Sequence, residues 1–161
     1  MKSYIDLIEQ TFDFPTPELA VHEDELLFNE VPLMDLIRQY GTPLRLTYLP
    51  RIRQNIHFAN RLFQEAIGKY SYQGQHTYCY STRSAQFDFI LRTVLDTGCQ
   101  LETSSAFDLD IILNLYERGL VDTNLYIICN GFKREEYQER ICKLINMGFN
   151  HCIPELDNLK E

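Results

Sequence analysis

From Pro50 to the end of the chain, apolar positions alternate between the 3.6-residue period of helices and short runs rich in β-branched and aromatic residues. Ile52, Ile56, Ala59, Leu62, Phe63 and Ile67 make one stripe and predict a long amphipathic helix over Pro50–Tyr70. The segment His76–Thr82 alternates and is rich in Tyr and Thr, which predicts a strand. Phe87, Ile90, Leu91, Val94 and Leu95 then predict a helix over Ala85–Asp96, stopped by Thr97-Gly98, with a second strand ending around Glu102–Ser105. Helix Ala106–Arg118, strand Leu125–Cys129, helix Arg134–Met147 and strand His151–Ile153 complete the series. Alternation at this spacing predicts a parallel sheet with right-handed crossovers.

Ahead of this series the pattern is weaker. Ser3–Gln10 reads as a short amphipathic helix with Ser3 as its cap, ended by Phe14-Pro15-Thr16-Pro17. Leu26–Phe28 is a brief strand, Val31-Pro32 opens a helix through Gln39, and Gly41-Thr42-Pro43 turns the chain into a strand over Leu44–Tyr48. The expected division is therefore 1–49, a helix and strand segment, and 50–161, the βα series. There is no internal repeat beyond that alternation and no low-complexity stretch.

Four parallel strands do not close an eight-stranded barrel. The pattern is thus either a compact flavodoxin-like sheet or the leading part of a barrel. In both, residues just beyond the carboxyl ends of the strands line the site, which singles out Arg83 after the first strand, Glu102 to Ser105 after the second and Lys133 after the third.

Composition narrows the partners. A chain of 161 residues, 45% hydrophobic, is long enough to bury a core. Its net charge of −8 argues against nucleic acid and anionic membrane surfaces. Asp6 and Glu9 interrupt the first apolar residues, so no signal-peptide core is present, and no run is long enough to span a bilayer. The expected location is the cytoplasm. The five cysteines, Cys79, Cys99, Cys129, Cys142 and Cys152, are odd in number and include no C-x-x-C pair. Most lie in or beside apolar strands, where thiols act as small hydrophobes, and their spacing with His151 is unlike that of structural zinc sites.

Three stretches together resemble a family. YGTPLRLTYLPRIRQNI (Tyr40–Ile56), YCYSTRSAQ (Tyr78–Gln86), and LETSSAFDLDIILNL with IICNGFKREEY (Leu101–Tyr137) are similar, in order and spacing, to the amino-terminal half of the fold-type III pyridoxal-phosphate decarboxylases that act on arginine, ornithine and diaminopimelate. The likeness is greatest to the biosynthetic arginine decarboxylases and covers roughly residues 26 to 161. It implies an α/β fold, a partial (β/α)8 TIM-type barrel of the first three to four βα units, preceded by one or two strands of an incomplete β domain that includes Leu44–Tyr48. It also implies pyridoxal 5'-phosphate as cofactor and a homodimeric or higher assembly.

The resemblance places the family's Schiff-base lysine at position 83, where this chain has arginine. A guanidinium stays protonated and its delocalised nitrogen is a poor nucleophile, so the exchange is not conservative at such a position. Lys69 lies at the far end of the preceding helix, and Lys133 falls on the correct rim. Glu102 matches the family's acidic residue near the cofactor. The local alternatives are a helix-start acid for Glu102, a capping arrangement for Ser104 or Ser105 with Asp108, and a turn for Asn130-Gly131. For Arg83 a salt bridge to Glu102 is favoured over binding a ligand phosphate or carboxylate. The glycine-rich loop that holds the cofactor phosphate, the acid facing the pyridine nitrogen and the partner subunit's contributions come later than residue 161 in the family.

The expected function is that of a fragment or degenerate relative of an arginine decarboxylase, inactive alone. The alternative is a non-enzymatic pseudoenzyme that binds an active decarboxylase or its regulator. A self-contained α/β domain that binds an unrelated small molecule ranks last.

Overall fold

The computed structural model describes residues 18–23 and 25–157. The expected helix Ser3–Gln10 and the Phe14–Pro17 stop lie outside them. The chain divides into two compact units, Met1–Thr47 and Tyr48–Glu161.

In the first unit, β1 (Leu19–His22), β2 (Glu25–Phe28) and β3 (Val31–Pro32) form an antiparallel sheet in that order, followed by helix α1 (Leu33–Tyr40). The hairpin between β2 and β3 turns on Asn29 and Glu30, both at positive φ (48° and 66°), the geometry that matches the right-handed twist of paired strands. The pattern contained Leu26–Phe28 but not β1 or β3, because the usual Asn-Gly signal is replaced by Asn-Glu. The helix starts at Leu33, with Pro32 at its cap. The expected strand Leu44–Tyr48 is corrected: it joins no sheet among the described residues. An alternating sequence supplies an extended backbone, whereas a strand also needs an edge to pair with.

The second unit runs α2 (Leu49–Lys69), β4 (Cys79–Ser81), α3 (Asp88–Leu95), β5 (Gln100–Thr103), α4 (Ala106–Glu117), β6 (Ile127–Cys129), α5 (Glu135–Asn146) and β7 (Cys152–Pro154). All neighbouring strands are parallel, in the order β4-β5-β6-β7. A doubly wound sheet of flavodoxin type reverses its strand order part-way, and this one does not. Sequential order with right-handed crossovers returns every helix on the same side. One apolar cluster accordingly joins Ile56, Leu91, Val94, Leu109, Ile112, Ile141 and Leu144 from the four helices to Leu101, Ile127 and Cys129 from the strands. Among the described residues of this second unit no such layer lies on the opposite face, and Ile153 in β7 is 43% exposed there.

Two local details set the rim. The chain after β4 makes a single 3-10 turn, Thr82–Ser84, and then stays extended, so α3 begins at Asp88 and not at Ala85. The Tyr80 hydroxyl donates to the Ala85 carbonyl (3.1 Å), and the Gln86 amide donates to Asp108 Oδ1 (2.6 Å), holding this segment outside the helix. At the start of α4, Ser105 is the cap and accepts from the Asp108 N–H (3.4 Å), while Asp108 Oδ2 accepts from the Ser104 N–H (2.9 Å) and the Ser105 hydroxyl (3.0 Å). The buried carboxylate of Asp108 thus ties the loop after β4, the loop after β5 and the first turn of α4 together.

Replacing it strands several of these donors. Asp108→Ala is expected to lower unfolding free energy by about 2–3 kcal/mol, read from urea denaturation, and an unchanged midpoint would contradict the tie. On the surface, Asp88 accepts from Arg118 (2.7 Å) and Arg92 (2.6 Å), which hold its carboxyl below the usual carboxylate value. A depressed folded value contributes stability above the unfolded one and loses it as pH falls through the folded one. Asp88→Asn should therefore lower the urea midpoint at neutral pH, and its gap to wild type should narrow on acidification from about pH 5 to about pH 3.

Candidate functional site at the carboxyl end of the sheet

Parallel register fixes which side chains share the bare face. Ser81, Glu102, Ile128 and Ile153 are successive register partners across β4, β5, β6 and β7 and form one transverse row. Leu101, Thr103, Ile127 and Cys129 alternate with this row and face the helices, all buried. The carboxylate of Glu102 therefore stands on the bare face at the strand ends. Its Oε1 accepts from Asn130 Nδ2 (3.1 Å) and, more weakly, from the Ser81 hydroxyl (3.4 Å). The buried Thr82 hydroxyl donates to the Glu102 carbonyl (3.0 Å), which pins the backbone beneath it.

Asn130 has two tasks. Its Oδ1 accepts from the Gly131 N–H (2.6 Å), closing the turn that its sequence predicts, and its amide donates to Glu102. Gly131 has φ +77°, a conformation a side chain would strain. Cys79, two residues before Ser81 on the same face, has its thiol pushed up by burial and then by the negative charge of Glu102. That is the opposite of what an activated nucleophile needs.

Arg83 lies on the 3-10 turn and is exposed. The expected Arg83–Glu102 salt bridge is corrected: Arg83 makes no ion pair or hydrogen bond among the described residues. The turn carries residue 83 out of the strand and into solvent, while the Glu102 carboxylate is taken by Asn130 and Ser81. Chemically, Arg83 is a permanent cation on the rim, suited to hold an anionic group and unsuited to attack a carbonyl.

Lys133 is placed differently again. It is 3% exposed, and its ammonium donates to the Gly131 carbonyl (2.6 Å) inside its own loop, while its carbonyl accepts from Gln138 (2.7 Å). The structure thus joins Glu102 to Ser81 and Asn130, and it joins neither Arg83 nor Lys133 to Glu102. Lys69 ends α2 ahead of β4, hence at the amino end of the sheet, with its ammonium over the Tyr70 ring at 5.3 Å.

On the helix side of the same strands lies a closed polar layer. Thr103 Oγ1 and the Tyr137 hydroxyl are 2.8 Å apart, and the sulfurs of Cys129 and Cys152 are 3.6 Å apart. The hydrogen bond from Cys152 pulls the Cys129 thiol down despite burial, helped by Thr103, Tyr137 and the charge of Lys133. That same bond, with burial, pushes Cys152 far up, and burial pushes Tyr137 up. Cys99 is pushed up to about 12 by burial. No group of three or more His, Cys, Asp or Glu among the described residues is placed to hold a metal ion.

A cleft of about 280 Å³ opens between the starts of α4 and α5, lined by Ser104, Ser105, Phe107, Phe132, Arg134 and Glu136. The Ser104 N–H there is already given to Asp108. Ser81 and Asn130, the partners of Glu102, were missed in the sequence. Strand alternation puts Cys79 and Ser81 on one face, but only the register shows that Ser81 meets Glu102.

No protein-family model matches this chain. It is 27% identical over 106 residues to a biosynthetic arginine decarboxylase of Prochlorococcus marinus strain MIT 9313, covering 63% of this chain and 16% of that protein. It is 26% identical over 144 residues to the enzyme of the same name from strain MIT 9301, covering 84% and 22%. To biosynthetic arginine decarboxylase 2 of Synechocystis sp. it is 27% identical over 124 residues, covering 72% and 19%. The chain spans about a fifth of the length of these relatives. Among the described residues no helix is long and apolar enough to cross a membrane. Over part of its length, the chain is a distant relative of the biosynthetic arginine decarboxylases.

Proposed function

We propose that this chain corresponds to the amino-terminal sector of a pyridoxal-phosphate decarboxylase barrel and does not by itself release carbon dioxide from arginine. The observation that carries this reading is the unreversed order β4-β5-β6-β7, with Arg83 immediately beyond the first strand. A sheet wound on one side only is compatible with a sector of a barrel wall, and in the (β/α)8 plan the strand ends hold the chemistry. The ancestral reaction is conversion of arginine to agmatine, a cytoplasmic step toward polyamines.

Pyridoxal phosphate, when bound, supplies the electron sink for such a decarboxylation. The residues present do not fit a covalently held cofactor, because position 83 offers a guanidinium in place of an amine. Lys133 does not substitute for it while its ammonium is buried against Gly131. Glu102 retains acceptor capacity beyond its two bonds and would face any ligand on the bare side. A second reading, a non-catalytic chain that acts by binding another protein, is favoured by the exposed Ile153 and Tyr126.

The test is to incubate wild type and Arg83→Lys with arginine and pyridoxal phosphate, to follow carbon dioxide, and to map borohydride-fixed pyridoxyl groups by peptide mass. Neither protein is expected to release carbon dioxide, and only the variant is expected to carry a pyridoxyl group at position 83. Turnover by wild type would overturn the reading.

A further inference from the structure

We propose that Cys129 and Cys152 are a redox-active pair: a peroxide oxidises them to a disulfide within the chain, and a dithiol reductant reopens it. The inference is independent of the decarboxylase reading, because both thiols lie on the helix side of the sheet, opposite the row that holds Glu102. Register sets Cys152 beside Ile127 and Cys129 beside Pro154, so the two cysteines are diagonal neighbours on adjacent parallel strands, with both side chains on one face. Their sulfurs are in contact at 3.6 Å, and rotation of both side chains toward each other brings them to the bonded separation of about 2 Å.

The surroundings assign the two roles. Cys129 is fully buried, yet its sulfur is bonded by the Cys152 thiol and then by the hydroxyls of Thr103 and Tyr137, with the charge of Lys133 nearby. A thiol that serves only as a small hydrophobe needs none of these groups. They favour the thiolate, the reactive form, at Cys129, while Cys152 is pushed the other way and keeps its proton. Cys79 and Cys99 are also pushed up, so neither competes as a nucleophile. Tyr137 lines the cleft between the starts of α4 and α5, so one side chain separates the Cys129 sulfur from the rim. In the first step the Cys129 thiolate attacks one oxygen of hydrogen peroxide, the O–O bond breaks, and the departing hydroxide takes up the proton that Cys129 gave. In the second, the Cys152 sulfur attacks the sulfenic sulfur, the S–O bond breaks, and the hydroxyl leaves as water with the Cys152 proton. Two thiols lose two electrons, and one peroxide becomes two waters. The bond closes a loop that contains α5 and restrains the unfolded chain, so the oxidised form should have the higher urea midpoint.

The test uses the full chain carrying Cys142→Ser, a change at an exposed position that leaves the four other thiols. Treated with hydrogen peroxide while folded, it is expected to lose two of those four thiols, to show a peptide pair linked through Cys129 and Cys152 and lighter by two hydrogens, and to regain both thiols in dithiothreitol. With Cys152→Ser added, dimedone is expected to label Cys129, because no thiol is left to resolve its sulfenic acid. The same peroxide treatment in strong urea should lose the preference for this pair. Retention of all four thiols, thiol loss without the Cys129–Cys152 link, or dimedone on Cys79 or Cys99 in place of Cys129 would each overturn the proposal. A urea midpoint that does not rise on oxidation would also overturn it, since the link would then form only by distorting the sheet.

Discussion

The hand and order of the crossovers govern the rest of the structure. Each of α3, α4 and α5 connects a strand to its immediate neighbour, and right-handed connections in one direction leave every helix on one side. Those helices can then share a single core with Leu101 and Ile127, whose side chains are fully buried. Parallel sheets are ordinarily covered on both faces, since strands of this kind are apolar on both. Here Ile128 and Ile153 occupy the uncovered side together with Ser81 and Glu102. The mixed character of that row, two aliphatic and two polar residues, suits neither open water nor a plain hydrophobic layer.

The rim is held by backbone-directed side chains. Thr82 reaches the carbonyl of Glu102 in the neighbouring strand, Tyr80 reaches Ala85, and Asp108 gathers Ser104, Ser105 and Gln86. These contacts fix the loops after β4 and β5 before any ligand arrives, which is how a site on loops acquires defined geometry. The buried Thr103–Tyr137 and Cys129–Cys152 pairs tie β5 to α5 and β6 to β7 from below, where their perturbed acidities reflect burial and mutual hydrogen bonding in a closed layer.

The helices and the parallel alternation were legible because their signal is periodic and local: the Ile52–Ile67 stripe and the Phe87–Leu95 stripe each need only one face to be apolar. The capping role of Ser105 and Asp108 was legible for the same reason. What escaped depends on partners distant in sequence. The Gln86–Asp108 bond spans 22 residues and delays α3, the register that sets Ser81 beside Glu102 spans 21, and Leu44–Tyr48 has the pattern of a strand without a ladder. The Arg83–Glu102 pair was a sound inference from charge and rim position, and it failed because a 3-10 turn rotates residue 83 away from the strand line. Lys133 was legible as a rim residue, but its burial against Gly131 depends on the fold of its own loop.

The side chain at position 83 and the bare face bear on one another. A lysine acts as a nucleophile only when its ammonium has been made easy to deprotonate, and the usual means are removal from water or a neighbouring cation. Position 83 is exposed and Arg83 has no charged neighbour bonded to it among the described residues, so water would keep even a lysine there protonated near neutral pH. An amine at this position can be labelled by an aldehyde under forcing conditions and still be a poor catalyst. Covering the sheet removes water from the same rim and strengthens every charge interaction on it, including that of Glu102. On the function proposed above, chemistry at the strand ends needs both a primary amine at position 83 and a wall opposite it, and neither alone is sufficient.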